Sequence, residues 1–344
     1  MRGPDRARKV VIIPDAHSDP AYSNERFDWL GKFIAAEKPD VVVSIGDFSS
    51  MQSLSDHDKG SIIFEGRRYQ ADCETNRDAI KRTMAPVTHG PEWYITLGNH
   101  ENYIRRYASR ATELDGLMTV GDLGFGEAGW HVVPFLSRLE IGGMLFSHYY
   151  ASGVSGRPLG GVNQAATMIR DLHQSCVAGH SHIKDYARRT RPDGKPIHAL
   201  VVGCYVAPEH HEGWSSATEH MWWKGCVVLE DVRDGDFGEM RWVSQERMRE
   251  LCGAVQSAAV SASNGHVSKV DACNFTGCED CYPQQSAGGL DYDDVADTQI
   301  GAPVVPVPMS RRAFAEQAGV PESTLRDWER REGKPWWEWR RESA

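Results

Sequence analysis

The sequence predicts an α/β fold, and its N-terminal part carries the clearest evidence. An apolar run at 10–13 indicates a buried strand, and residues 25–37 place four large apolar side chains at the spacing of an amphipathic helix. A second apolar run at 41–45 follows after a short join. Because a strand, a helix and a strand joined this closely form a βαβ unit, we expect the two strands to be parallel.

The alternation of strands and helices continues, less regularly, to about residue 245. A polar stretch between Phe48 and Asp72 has no regular pattern and predicts an active-site loop or cap. Helices are expected at 72–84, 101–112 and 163–174. Strands are expected at 93–97, at two or three places within 131–148, at 176–178, from His198 to Val206, from Gly225 to Val232, and at 238–244.

Composition divides the 344 residues into three parts. Residues 1–252 form the predicted main domain. Residues 253–309 are rich in Ala, Ser, Gly and Pro, and seven acidic residues lie between Asp271 and Thr298 without any Lys or Arg. That composition predicts a flexible acidic linker. Residues 310–344 return to an Arg- and Trp-rich composition and are predicted to form a small helical module.

The overall composition is typical of a soluble globular protein, with 40% apolar and 25% charged residues. The net charge of -10 argues against a protein that coats nucleic acid through bulk charge, but it leaves room for a local basic site. No apolar run approaches the ~20 residues that a membrane helix needs. The run at 10–13 is also too short for the core of a signal peptide, so we expect a cytoplasmic protein.

Polar residues follow five of the predicted strands. Because loops after the carboxyl ends of strands in an α/β sheet converge on one crevice, we expect these residues to lie close together. They are Asp15 and His17, Asp47, the run Asn99-His100-Glu101, His148, and the pair His180 and His182.

The side chains in these clusters suit divalent metal ions. Carboxylate, amide and imidazole groups are ligands for Mn, Fe, Zn and similar ions, and the absence of a thiolate among them argues against a structural zinc site. Two ions ~3.5–4 Å apart can clamp the attacking and leaving oxygens of an in-line displacement. Such a pair needs one bridging carboxylate, and Asp47 is the natural candidate.

The five clusters resemble the signature motifs of the calcineurin-like metallophosphoesterases, in order and spacing, over about residues 10–245. A lone Gly-Asp carries almost no information, whereas Gly-Asn-His-Glu and Gly-His-Ser-His in this order are specific. The motifs are Asp-Ala-His at 15–17, Gly-Asp at 46–47, Gly-Asn-His-Glu at 98–101, His148, and Gly-His-Ser-His at 179–182. The resemblance implies a four-layer fold, a β-sandwich flanked by helices.

The resemblance also implies a role for each residue. Asp15, His17 and His182 would hold the first ion, Asp47 would bridge, and Asn99, His148 and His180 would hold the second. His100 would lie over the site, where it helps to protonate the leaving oxygen or stabilises the transition state. The implied nucleophile is a hydroxide that bridges the ions. Mn²⁺ is the first expectation for the metal, with Fe, Zn, Ni and Co as the other candidates.

Four histidine and tyrosine positions near the motifs remain open at this stage. The fourth motif departs from the family pattern because Tyr149 and Tyr150 follow His148, where a small residue is common. These tyrosines could line the substrate pocket. His210 and His211, near the end of a predicted strand, could also reach the site.

The cysteines fall into two groups. Five are scattered and are expected to be buried free thiols: Cys73, Cys176, Cys204, Cys226 and Cys252. The other three, with one histidine, form a His-x6-Cys-x4-Cys-x2-Cys pattern that could make a closed structural Zn²⁺ site, the alternative being free thiols in a flexible linker. These four residues are His266, Cys273, Cys278 and Cys281.

Residues 310–331 resemble the helix-turn-helix of bacterial and phage DNA-binding proteins. Ser310 can cap a first helix, Gly319 can supply the turn, and Pro321 suits the start of a second helix. In this interpretation four side chains would contact DNA: Ser323, Thr324, Arg326 and Arg330. The alternative is a helical hairpin that docks on the main domain or on a partner protein.

The sequence therefore predicts a metal-dependent phosphoesterase of bacterial or phage type with a catalytic domain at 1–252. If the tail binds DNA, a DNA-processing nuclease or phosphodiesterase is the best specific expectation. One alternative is a phosphomonoesterase that acts on a protein or a small molecule, and Glu101 favours it because the protein phosphatase branch commonly carries Glu there. The other alternative is a DNA-binding regulator whose metal domain only binds a ligand.

Overall fold

The computed structural model describes residues 6–56, 59–60, 64–114, 116–153, 155–210 and 218–253. The helices are α1 (Glu25–Glu37), α2 (Tyr69–Met84), α3 (Asn102–Ala108) and α4 (Gln164–Leu172), and residues 245–253 are helical as well. The strands are β1 (Arg8–Ile13), β2 (Val41–Ser44), β3 (Glu92–Thr96), β4 (His131–Val133), β5 (Leu139–Ile141), β6 (Met144–Phe146), β7 (Cys176–Ala178), β8 (Lys184–Thr190), β9 (Pro196–Val202), β10 (Gly225–Val232) and β11 (Glu239–Ser244).

The strands form two sheets. The first has the order β11-β10-β1-β2-β3-β4, and the second has the order β5-β6-β7-β9-β8. β1 pairs with β2 in parallel, as the βαβ pattern predicts, and β2 pairs in parallel with β3. In the second sheet β7 lies parallel to both β6 and β9. Both sheets therefore have parallel strands at their centres, whose carboxyl ends carry the predicted polar clusters.

The two sheets pack face to face, which explains why the central strands are apolar at every position. Along β1, Val10 and Ile12 lie in the core between the sheets, while Val11 and Ile13 lie in the core beneath the helices. Side chains of a strand alternate between its two faces, so a strand buried on both faces has a continuous apolar run. The run at 10–13 is such a strand.

Helices cover the outer face of each sheet. Phe27 and Leu30 of α1 and Ile80 of α2 belong to the apolar core on the outer face of the first sheet. Met168 and Ile169 of α4 belong to the core on the outer face of the second sheet. The order is helices, sheet, sheet, helix, which is the four-layer architecture expected from the family resemblance.

Two predicted ends were wrong, and one strand was missed. The helix expected at 101–112 ends at Ala108, and the strand expected from His198 to Val206 ends at Val202, before the left-handed turn at Gly203 (φ 78°). β8 was not predicted. It is an edge strand whose residues are charged and mostly exposed, so it lacks the apolar signal of a buried strand. The five scattered cysteines are free and buried, as predicted.

The C-terminal predictions lie outside the described residues. They are the predicted linker from residue 254 to residue 309, the four residues of the Cys-His pattern within it, and the helix-turn-helix-like segment with its four expected DNA contacts. Within the ranges that the structure describes, no helix combines the length and the apolar character needed to cross a membrane.

Candidate metal centre

Backbone hydrogen bonds join the first two polar loops beyond the ends of β1 and β2. The backbone N–H of His17 donates to the carbonyl of Asp47 (2.9 Å), and Ser18 N–H donates to the carbonyl of Phe48 (2.7 Å). These bonds continue the parallel pairing of the two strands past their ends. The loops that carry Asp15, His17 and Asp47 are therefore held side by side.

The second sheet brings its own loops to the same place. His148 follows β6, and His180 and His182 follow β7. The N–H of Gly179, directly after β7, donates to the His148 carbonyl (2.9 Å). The N–H of His180 donates to Oδ2 of Asp15 (2.7 Å). This bond joins a loop of the second sheet to a carboxylate of the first. The polar clusters thus meet at one edge of the sandwich, across both sheets.

The first group of side chains that could hold a metal ion consists of Asp15, His17 and His182, all buried. One potential ligand atom from each lies within 4.8 Å of the others. Nε2 of His182 lies 3.3 Å from Oδ2 of Asp15, and the rings of His17 and His182 lie 5.2 Å apart, centroid to centroid. These are the three residues expected at the first ion.

The second group consists of Asp47, His148 and His180, with ligand atoms again within 4.8 Å of one another. Nε2 of His148 lies 3.1 Å from Oδ2 of Asp47 and 3.2 Å from Nδ1 of His180. The same nitrogen lies 3.0 Å from Oδ1 of Asn99. All four residues expected at the second site, including the bridging Asp47, are therefore gathered around one point.

Asp47 lies between the two groups. A third set of mutually close ligand atoms consists of His17, Asp47 and His100, so Asp47 is near a residue of the first group as well as those of the second. The seven side chains predicted as ligands meet in one place. Of these, only Asn99 and His180 are more than slightly exposed.

Hydrogen bonds orient two of the imidazoles toward the centre. Nδ1 of His148 faces the carbonyl of Ile45 (3.0 Å), and Nδ1 of His100 faces the carbonyl of Ser50 (2.6 Å). Because a carbonyl only accepts, each Nδ1 carries the proton, and each Nε2 of the neutral ring keeps its lone pair. Nε2 of His148 then points at the second group, and Nε2 of His100 lies 3.9 Å from Oδ2 of Asp47.

Four of the seven predicted ligand residues have a left-handed backbone. The φ angles are 46° at His17, 46° at Asp47, 69° at His180 and 60° at His182. This region is uncommon for residues with a Cβ atom, and positions held there cost on the order of 1–3 kcal/mol each. Strain repeated at four residues of one cluster indicates that the fold places these side chains for function.

Two glycines make room for the carboxylates. A Cβ atom at Gly98 would collide with the carboxylate of Asp47, and one at Gly179 would collide with the carboxylate of Asp15. Only a residue without a side chain lets the backbone of the third and fifth motifs approach this closely. The glycines of Gly-Asn-His-Glu and Gly-His-Ser-His are therefore steric requirements of the cluster.

The electrostatics of the cluster favour an ionised carboxylate at its middle. Burial would raise the pKa of Asp47, but the nearby His148 and His100 imidazoles outweigh burial and hold this pKa well below its ordinary value. Burial would lower the pKa of His148, but Asp47 and Asp15 raise it to about 9. A bound cation would take the place of the imidazole protons, since metal ligands bind in their deprotonated forms.

His180 and His17 are held neutral. Burial, together with the charge of His148, lowers the pKa of His180 to about 4. Burial and the neighbouring His100 and His182 rings lower the pKa of His17 well below its ordinary value. Neutral imidazole is the form that binds metals.

The donor set fits a pair of divalent ions. Oδ1 of the buried Asp15 accepts no hydrogen bond from the described residues, although it is a full acceptor in a dry site. Buried acceptors without a partner are rare in folded proteins. A cation held by Asp15 would satisfy this atom, and carboxylate, amide and imidazole groups are ligands for such ions.

The structural role of Glu101 was not predicted from the sequence. Its buried carboxylate accepts three backbone hydrogen bonds, from the N–H groups of Asp47 (3.0 Å), Ser49 (2.9 Å) and Gly98 (2.8 Å). Burial and the charge of Asp47 raise its pKa to about 7. Glu101 thus connects the second and third motifs, and its place in Gly-Asn-His-Glu was the only sequence signal.

Arg26 is a second buried charge that the sequence analysis missed, because it lies within the apolar pattern of α1. Its guanidinium donates to the carbonyls of Ala16 (3.0 Å), His17 (3.0 Å) and Tyr205 (3.2 Å). Its residue surface is only 1% exposed. Arg26 therefore holds the loop of the first motif in place through its backbone carbonyls.

The structure places three of the four tyrosine and histidine positions that the sequence left open. Tyr150 does not line a pocket: it is buried, and its hydroxyl donates to the carbonyl of Leu145 (2.9 Å). Tyr149 lies beside the site, with its ring 4.9 Å from that of His180. His210 does reach the site, with its ring centroid 5.8 Å from that of His17, whereas His211 lies outside the described residues.

Comparisons with known proteins agree with this geometry. The family model of the calcineurin-like phosphoesterases matches residues 8–184, a little more than half of the chain. The chain belongs to the calcineurin-like phosphoesterase family. It is accordingly a metal-dependent phosphoesterase, a hydrolase of ester bonds.

Two other proteins are similar to this calcineurin-like phosphoesterase, one in sequence and one in structure. The gene 54 protein of Mycobacterium phage D29 is 25% identical over 181 residues, which are 51% of this chain and 69% of that protein. A solved structure of a Pseudomonas putida nuclease is 13% identical, with a TM-score of 0.30. That alignment covers 64% of this chain and 84% of the nuclease chain.

Replacing Glu101 with Gln tests its positioning role in the phosphoesterase. The amide cannot accept three N–H bonds as the carboxylate does, so we expect metal affinity or turnover to fall about 10- to 100-fold. Titration calorimetry with Mn²⁺ and turnover of a chromogenic phosphoester measure the two effects. The exposed Glu127→Gln variant is the control. Wild-type metal affinity and turnover in Glu101→Gln would refute the positioning role.

Proposed function

We propose that this phosphoesterase holds two divalent ions and hydrolyses phosphodiester bonds in nucleic acid. Asp15, His17 and His182 would hold the first ion, Asn99, His148 and His180 would hold the second, and Asp47 would contribute to both. The observation that carries the proposal is the position of the buried Asp47 carboxylate between two groups of ligand atoms. An isolated buried carboxylate is costly, and two cations would stabilise it.

The ions supply Lewis-acid stabilisation of the phosphoryl group and a nucleophilic water of lowered pKa. The protein contributes the geometry. Hydrogen bonds from Nδ1 of His148 to the Ile45 carbonyl and from His180 N–H to Asp15 hold the ligands in place before substrate arrives. Preorganised groups of this kind need little rearrangement during the reaction. Mn²⁺ is the proposed metal, because oxygen and imidazole ligands without thiolates suit it.

His100 is proposed to act on the leaving oxygen. Its Nδ1 is bonded to the Ser50 carbonyl, so its Nε2 is the nitrogen that faces the centre, 3.9 Å from Oδ2 of Asp47. In the imidazolium form, in which both ring nitrogens carry a proton, this Nε2 can donate a hydrogen bond or a proton to the oxygen that departs. Its ring packs edge-on against His17 at 4.6 Å, which limits its rotation. His100 is therefore held at the centre and is proposed not to bind metal.

The nucleic-acid substrate is supported by the C-terminal sequence. The helix-turn-helix-like segment at 310–331 would deliver DNA to a catalytic domain at 1–252 through the linker at 253–309. Ser323, Thr324, Arg326 and Arg330 are the proposed DNA contacts, and the Cys-His pattern of the linker is a candidate Zn²⁺ site. In this proposal the C-terminal segment binds DNA and the metal centre cleaves it.

A phosphomonoesterase is the second candidate. It is favoured by Glu101, which makes the third motif resemble that of the protein phosphatase branch. In that case the C-terminal segment would be an interaction hairpin. Both candidates use the same metal centre, so the substrate distinguishes them.

A substrate panel tests the choice. We expect Mn²⁺-loaded protein to cleave single-stranded or duplex DNA and a simple phosphodiester faster than para-nitrophenyl phosphate. Removal of metal with a chelator should abolish every activity, and Mn²⁺ should restore it. Rapid turnover of the phosphomonoester with no cleavage of either DNA would reject the nuclease and favour the phosphatase.

Two substitutions separate metal binding from catalysis. Asp47→Ala removes the proposed bridge, so we expect both metal content and turnover to be lost. His100→Ala should keep its metal but lose roughly 10²- to 10⁴-fold in turnover, the range for a general acid. Metal analysis of the purified proteins and a chromogenic assay measure this, with the exposed His131→Ala as control. Full activity in Asp47→Ala would exclude a bridging role.

Removal of residues 310–344 tests the tail. DNA binding should weaken and depend less on salt, because the proposed contacts include arginines that neutralise phosphates. Turnover of a small phosphodiester should persist, since every proposed ligand of the two catalytic ions precedes residue 253. Fluorescence anisotropy of labelled DNA at several salt concentrations measures the change. Unaltered DNA affinity would assign the tail a structural role.

A further inference from the structure

A groove of about 540 Å³ is lined in part by Trp222, whose ring packs against the proposed metal ligand His182. Its lining combines aromatic rings with basic side chains: Trp222, Trp223, Lys224 and Arg249, together with Pro208 and the carboxylate of Glu246. Nothing in the proposed metal chemistry uses these residues. The groove has room for one or more substituents of a substrate whose phosphate lies at the metal centre.

Trp222 connects the groove to the metal centre. Its ring packs edge-on against the ring of His182, with centroids 4.4 Å apart and planes at 82°, and it lies 6.4 Å from the ring of His210. Trp222 is half-buried, so part of its surface remains open to a ligand. A flat group attached to a phosphate at the first metal site would therefore meet this indole first.

The backbone around Trp222 is anchored on both sides. The N–H of Trp223 donates to the carbonyl of His182 (3.0 Å), and the carbonyl of Trp223 accepts from Cys204 N–H (2.9 Å). The segment that carries the indole is thus bonded to the loop of a proposed metal ligand. The position of Trp222 relative to the metal centre is consequently held by hydrogen bonds, as a stacking platform requires.

The charge of the groove suits a phosphate backbone. Lys224 donates from Nζ to the carbonyls of Ala207 (2.8 Å) and Pro208 (2.9 Å), which fixes a cation in the wall. Arg249 is exposed at the rim, as is Glu246, so the three charged residues sum to one positive charge. The net charge of the whole chain is -10. Against this negative background, Lys224 and Arg249 are the two cations of the groove lining that can contact a phosphate backbone.

We infer that this groove binds single-stranded nucleic acid, with an unpaired base next to the scissile phosphate stacked on Trp222. The inference rests on the proposed function and adds the substrate class. Proteins that bind single strands combine a basic groove with aromatic side chains on which bases stack. Bases in a duplex are already stacked on each other, so only an unpaired base can lie on the indole.

The test compares an oligothymidylate with the same backbone in which every base is replaced by an abasic residue. Stacking is worth roughly 1–3 kcal/mol per base, so wild-type protein with Mn²⁺ should prefer the base-bearing strand by about 5- to 160-fold in kcat/KM. Trp222→Leu should reduce this preference to near one. Trp222→Phe, which keeps a smaller ring, should retain an intermediate preference.

Tyr186→Leu is the matched control. Tyr186 is an aromatic residue of β8 in the second sheet, 39% exposed and outside the groove, so its loss should leave the preference unchanged. If Trp222→Leu slowed both strands equally, Trp222 would only support His182, and the inference would be overturned. Retention of the full base preference in Trp222→Leu would overturn it as well.

Binding separates this inference from the proposed function. Anisotropy with Mn²⁺-loaded His100→Ala, alone and combined with Trp222→Leu, reports affinity for both strands without rapid cleavage. If the wild type cleaved DNA without any base preference, the inference about the groove would be rejected, and the proposed nuclease activity would be retained. If binding depended on the bases and this dependence were lost in Trp222→Leu, but the wild type did not cleave DNA, the nuclease activity would be rejected. The inference that the groove binds single strands would be retained. Neither cleavage nor binding would reject both.

Discussion

The structure depends on the burial of two carboxylates at the edge where two sheets meet. Asp15 and Asp47 are 0% and 2% exposed, and a buried carboxylate costs on the order of several kcal/mol unless its charge is compensated. Imidazoles compensate it here: His182 lies against Asp15, and His148 lies against Asp47. Each sheet supplies one member of each pair, so the charged centre also joins the two sheets.

Two further buried charges act on the backbone rather than on substrate. Glu101 accepts N–H groups from the second and third motifs, and Arg26 donates to carbonyls of the first. Together they satisfy loop backbone groups that would otherwise be buried without partners, which is expensive in a dry interior. The ligand loops are therefore rigid supports for the metal centre, although they carry left-handed residues at four ligand positions.

The same edge offers a route for substrate. Trp222 packs on the ring of His182 and also lines the neighbouring groove, so one indole belongs to both features. A polymeric substrate with its phosphate at the metal centre would have its next base within reach of this ring. The catalytic centre and the substrate groove would then depend on the same short loop after β7 and on the residues that precede β10.

The sequence by itself determined the fold class, the parallel β1–β2 pair and the identity of the clustered side chains. These follow from local patterns, since apolar runs buried on both faces and glycines beside polar residues are visible along the chain. The edge strand β8 and the buried Arg26 were not predictable, because a charged strand gives no apolar signal and one arginine in a helix looks exposed. Only the tertiary structure decided that Asp47 lies between two ligand groups, that Glu101 bonds three amides, and that Trp222 adjoins His182. Those contacts join residues distant in sequence, so they depend on how the two sheets pack.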